Sequence, residues 1–148
     1  MNDLSDIAHL VELSVAPVFL LAGIGALLNV VTARLGRVVD RARNLEERLY
    51  APRSDDEAAR IRAELGSLDR RMLLAQRAIF LFSTAALLIC LVVASIFIGE
   101  FVDLAVPALV AVIFIATMFA MIAGLALFLM EISIATKVLR VRADLFAK

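Results

Sequence analysis

The side chains in this sequence with the type and spacing to do chemistry fall mostly on one stretch, Val15–Tyr50. Asn29 and Thr32 lie on a run of small residues at three-four spacing: Ser14, Val18, Ala22, Gly25, Asn29, Thr32 and Gly36. Small residues at that spacing let two helices approach closely, and an amide between them hydrogen-bonds across the contact. The stripe therefore reads either as helix–helix packing or as the lining of a hydrated path between subunits, because an amide turned to lipid costs free energy. A second stripe carries Arg34, Arg37, Arg41 and Arg48. Guanidinium groups at the end of an apolar run hold lipid phosphates and set depth. Arranged as a ring at the inner mouth of an oligomeric pore, Arg34, Arg37 and Arg41 would instead disfavour cations. Asp40, between Arg37 and Arg43, reads as an intrahelical charge partner.

Acids occupy the other side. Glu12 just precedes the first apolar run, with Asp3, Asp6, Glu100 and Asp103 expected at the same level. It reads as a solvated interfacial carboxylate, or as one member of an outer acidic ring that draws in cations. Glu131 closes the last apolar run and is expected to form a salt bridge with Arg34 or Arg77. His9 is a lone titratable group, and Cys90 is the only cysteine, inside an apolar run. One cysteine cannot make a disulfide framework, and one histidine beside it gives no soft-metal site. No nucleophile is paired with a base, no glycine-rich loop follows a strand, and no acid pair lies within an apolar run. No catalytic, cofactor-binding or metal-ligating residue is therefore assigned, no nucleic-acid partner is expected, and the chain is not read as an enzyme. It is also too short for a transporter built from inverted repeats unless copies assemble.

These groups must be positioned by long helices. The sequence of 148 residues is 63% hydrophobic, with a mean hydropathy of +0.95; soluble globules are roughly half apolar. A bilayer span needs about 20 apolar residues, and 14–33, 78–98 and 104–130 each supply them. Residues 2–13 form a short amphipathic helix expected at the outer interface. Ser14 followed by Pro17 suggests a cap and a bend before the first span, with one continuous helix as the alternative.

Beyond the first span the apolar seam continues without a break: Leu21, Ile24, Leu28, Val31, Leu35, Val38, Ala42, Leu45, Leu49. After a turn containing Pro52, Ser54 and Glu57 stand at capping-box spacing. A second seam then runs through Ala58, Ile61, Leu65, Leu68, Met72, Ala75, Ile79, Phe82, Ala86 and Ile89. Folding the seams together about the turn pairs Leu49 with Ala58, Leu45 with Ile61, Ala42 with Leu65, Val38 with Leu68, Leu35 with Met72 and Val31 with Ala75. Residues 34–77 are thus expected to form an antiparallel coiled-coil hairpin continuous with the first two spans. At 1.5 Å per residue it would reach roughly 25–30 Å past the bilayer.

All fifteen Lys and Arg residues lie in 34–77 and 131–148, and the opposite side carries only acids. The positive-inside rule places the N-terminus outside and the hairpin and C-terminus in the cytoplasm. Gly99–Asp103 is a very short outer connection. The segment 131–148 continues as a cytoplasmic helix against the hairpin, or along the inner leaflet.

The segment PVFLLAGIGALLNVVTARLGRVVDRARNLE, with its proline-led apolar run, GIGALLN, following arginine and D-R-x-R-x-L helix, resembles a bacterial membrane family catalogued as domain of unknown function 2721. The resemblance implies a bacterial inner-membrane protein with this three-span layout and brings no activity with it. The expectation is an all-α, single-domain membrane protein in contact with lipid. Three helices bury little surface, so it is further expected to be a homo-oligomer, channel-like with the first span near its axis. The alternative is an anchored scaffold or regulatory module whose hairpin binds a cytoplasmic protein.

Overall fold

A computed structural model describes residues 3–50, 52, 54–102 and 107–143, with side-chain surroundings for 11–50, 52, 54–99 and 107–136. The described residues form three α-helices: α1, Asp3–Leu49; α2, Asp55–Val102; and α3, Pro107–Ala143. Each is long and apolar enough to cross a membrane, and a helix is the form in which a single segment satisfies its own backbone in lipid. Only 17–22% of the most apolar window of each is buried within the chain. Phe19, Phe80, Phe119 and Ile122 are largely exposed. At about 25 cal/mol per Å² such surface is costly in water, and in a bilayer it is ordinary. The chain is built as a multi-pass membrane protein.

The helices divide by their contacts into two units. Unit 1 comprises Met1–Asn29 and Phe80–Ala123. Its fully buried positions are Ile24 of α1, Phe82, Ala85, Ile89 and Val92 of α2, and Thr117 of α3. The Thr117 hydroxyl donates to the Ile113 carbonyl at 2.9 Å, which satisfies a buried polar group inside its own helix. Unit 2 comprises Val30–Ile79 and Gly124–Lys148. Its core joins Val38, Ala42 and Leu45 of α1 to Ile61 and Leu68 of α2, with Leu49, Leu65 and Met72 packed against them.

Every residue of the two seams is buried or half-buried, from Leu21 to Leu49 on α1 and from Ala58 to Ile89 on α2. In unit 2 the pairing runs antiparallel. Arg48 meets Glu57 at 2.8 Å and Arg41 meets Glu64 at 2.8 Å. The two ion pairs therefore advance by one heptad in opposite directions along α1 and α2. A heptad step keeps the same face toward the partner helix.

The helix ends follow local chemistry, with two departures from expectation. The Ser54 half of the expected capping box is formed at the α2 start: the Glu57 amide donates to Ser54 Oγ at 3.2 Å and the Ala58 amide to the Ser54 carbonyl at 3.1 Å. Asp55, Asp56 and Glu57 then place negative charge in the first turn, where the helix dipole favours it. Ser14, by contrast, is no cap. Its hydroxyl donates to the Val11 carbonyl at 2.8 Å, the bond of a mid-helix hydroxyl, and α1 passes through Pro17 as one helix. The other departure is at the far end of α2, which continues through Gly99 to Val102. One glycine costs a helix about 1 kcal/mol and does not end it. The start of the third span at 104–106, Asp103 and residues 144–148 lie outside the described residues.

Leu45 is 1% exposed at the heart of the unit 2 cluster. Leu45→Ala is expected to destabilise the protein by roughly 2–4 kcal/mol, as large-to-small changes do in packed cores. The exposed control Glu46→Ala should stay within about 0.5 kcal/mol of the parent. Unfolding in neutral detergent compares them; equal effects would contradict the packed core.

Candidate functional site

The heptad step that pairs Arg48 with Glu57 and Arg41 with Glu64 brings Arg34 of α1 to the level of Arg71 on α2. Both are cations, so this rung cannot close on itself. The charge that closes it comes from α3. Arg71 donates to Glu131 Oε1 through Nε at 2.9 Å and Nη2 at 2.8 Å. Arg34 donates to Oε2 through Nε at 3.3 Å, with Nη2 at 3.2 Å. Each carboxylate oxygen therefore serves one guanidinium, and one side chain links three helices within unit 2.

Burial sets the strength of this cluster. The Glu131 side chain is 2% exposed, against 29% for Arg34 and 19% for Arg71. Arg41 and Glu64 are 45% and 42% exposed, and exposed pairs are worth about 0–1 kcal/mol. A carboxylate taken out of water is tolerated only with its lone pairs filled, and here fork-shaped donors fill them. Phe128, one turn before Glu131 on α3, is buried, and the Arg34 guanidinium carbon lies 5.8 Å from its ring centroid. That distance is within cation–π range.

The sequence expectation of Arg34 as a partner for Glu131 is met. The other partner is Arg71, and Arg77 is exposed on α2. The heptad spacing of the charges could have shown this, because Arg34 and Arg71 continue the rungs of Arg41–Glu64 and Arg48–Glu57 with a like-charge pair. Such a pair calls for an acid from a third helix.

The remaining anticipated residues sit apart from the cluster core. Arg37 and Arg41 are exposed on α1, and with Arg34, Val38, Leu68 and Arg71 they line a cleft of about 250 Å³. On the small-residue stripe, Gly25 and Asn29 of unit 1 are exposed, as are Thr32 and Gly36 of unit 2. A Cβ added at Gly25 or Gly36 would meet nothing within 4 Å. Glu12 is exposed. The side chains of Asp3, Asp6, His9 and Glu100, and those of Lys137, Arg140, Arg142 and Lys148, lie outside the described residues, as does Asp103.

Removing Glu131 would leave two guanidinium groups facing each other without their shared anion. Glu131→Gln is expected to cost roughly 2–4 kcal/mol, and Glu64→Gln at most about 1 kcal/mol. A double-mutant cycle on Arg71 and Glu131, read by thermal unfolding in detergent, should give a coupling of about 1–3 kcal/mol. Additivity within error at that pair would show that the cluster contributes nothing to holding α3.

Neither a curated protein nor a solved structure matches the chain. Residues 14–141 match the model of a family described as protein of unknown function, DUF2721, and the chain belongs to that family.

Proposed function

We propose that the protein works as a homo-oligomer in the membrane, channel-like, with the small-polar face of α1 toward the common axis. The observation that carries this reading is what lies outside the seam. Ile24 is fully buried against the chain's own core, while Gly25 beside it is exposed, with open space where a side chain would stand. Glycine inside a helix costs about 1 kcal/mol relative to alanine, and nothing in the chain's own packing requires it here. A second chain approaching that face would require it, because small residues let helix backbones come close. Asn29 and Thr32 are exposed as well, and polar groups at membrane depth face protein or water rather than lipid. In the assembly they would line the axis, with Glu12 near the outer mouth. The orientation follows the clustering of cations, with the N-terminus outside and the hairpin in the cytoplasm.

A second reading has one observation in its favour. Tyr50, at the turn between α1 and α2, is 92% exposed and borders a cleft of about 300 Å³ with Glu46 and Leu49. An exposed tyrosine beside a partly apolar cleft suits a protein partner. In that reading the membrane part anchors a coiled-coil hairpin that docks another protein.

Ion flux into liposomes separates the readings. The channel reading predicts flux from the parent protein and a fall of about tenfold or more in Asn29→Leu, which removes the amide from the path. Absence of flux from the parent at verified incorporation and orientation would overturn it and favour the anchored hairpin.

A further inference from the structure

The basic cleft of unit 2 points to a ligand. Arg34, Arg37, Arg41 and Arg71 surround it, Val38 and Leu68 complete it, and it encloses about 250 Å³. Among the described residues, the carboxylates nearest in the network, Glu131 and Glu64, hold three of these arginines but do not line the cleft. Four guanidinium groups line the cleft and, among the described residues, no carboxylate does. One acid also fixes the geometry. Arg71 and Arg34 are clamped by the buried Glu131, so two of the donors are positioned before a ligand arrives, which reduces the ordering cost of binding. A planar guanidinium fork matches the paired oxygens of a phosphate. Arg34 and Arg37 directly follow the apolar run that ends at Ala33, the depth at which phospholipid phosphates lie.

We propose that this cleft is a phosphate site occupied by the headgroup of an anionic phospholipid. It is built from one chain and needs no oligomer, so it stands apart from the conduction reading. Glu131 acts here as a positioning residue: it turns Arg34 and Arg71 toward the same space while cancelling only part of their charge. Arg37 and Arg41, exposed on the rim, supply the contacts that a ligand gains on entry.

The test uses the full chain in neutral detergent, with native mass spectrometry to count retained lipid after addition of phosphatidylglycerol or, separately, phosphatidylcholine. The site predicts selective retention of phosphatidylglycerol. It predicts weakening by about tenfold, equivalent to ~1.4 kcal/mol, in Arg37→Gln at unchanged thermal midpoint, and more in Arg37→Gln with Arg41→Gln, which also loses the exposed Arg41–Glu64 pair. Inorganic phosphate and dihexanoyl phosphatidylglycerol serve as competitors. Displacement by the short-chain lipid well below the concentration needed for phosphate identifies a lipid site. Equal potency of inorganic phosphate would overturn the lipid assignment and leave a soluble-phosphate site. Equal retention of both lipids, or variants that retain phosphatidylglycerol as the parent does, would overturn the proposal altogether.

Discussion

Unit 2 depends on a carboxylate held where water hardly reaches. Glu131 is 2% exposed and bonded to two guanidinium groups from two other helices. A buried ion pair is not in itself a source of stability, since desolvation can cancel the attraction. Its effect is specificity. The α1–α2 pairing presents a like-charge rung at Arg34 and Arg71, and the arrangement is tolerable only with α3 placed so that its one acid reaches that rung. Apolar surface alone would let α3 slide along or rotate about its neighbours at small cost, because lipid chains replace helix contacts readily. The charge cluster gives it a register.

The same constraint organises the surface. By consuming the Glu131 carboxylate internally, the cluster leaves Arg34 and Arg71 oriented but incompletely neutralised, with Arg37 and Arg41 beside them along one cleft. The seam residues from Leu21 to Leu49 are turned inward, so Gly25, Asn29, Thr32 and Gly36 are left facing out. These two faces of α1, one basic and one small and polar, lie outside the apolar seam. The two proposals rest on them: phosphate chemistry on the first and assembly with further copies on the second.

Much of this was legible in residue spacing. The seams were, because a buried face repeats with the helix period whatever surrounds it, and Ile24, Val31, Val38, Leu45, Ile61, Leu68, Phe82 and Ile89 are all buried. The Ser54 cap was, because an N-cap is a local bond. The Ser14 bend was not, because the same hydroxyl serves equally well inside a helix, donating back to Val11, and a proline in one turn does not decide between bend and continuity. Arg71 as a partner of Glu131 was missed because the contact is set by three helices at once, 60 residues apart in the chain. Proximity in sequence favours Arg77 only on the assumption that charges near a span's end meet. Exposure of Asn29 could not be read from its stripe, because small-polar spacing is the same whether the neighbour is the chain's own helix or another molecule.

The central claim is that one chain completes its seam and its charge cluster but leaves the small-polar face of α1 for further copies of itself. The mass of the protein in lipid nanodiscs, after subtraction of scaffold and lipid, tests this most directly. The account predicts a discrete multiple of the 16.1 kDa chain, shifted toward smaller species by Gly25→Leu. A single-chain mass at every protein-to-lipid ratio, unaffected by that substitution, would contradict it.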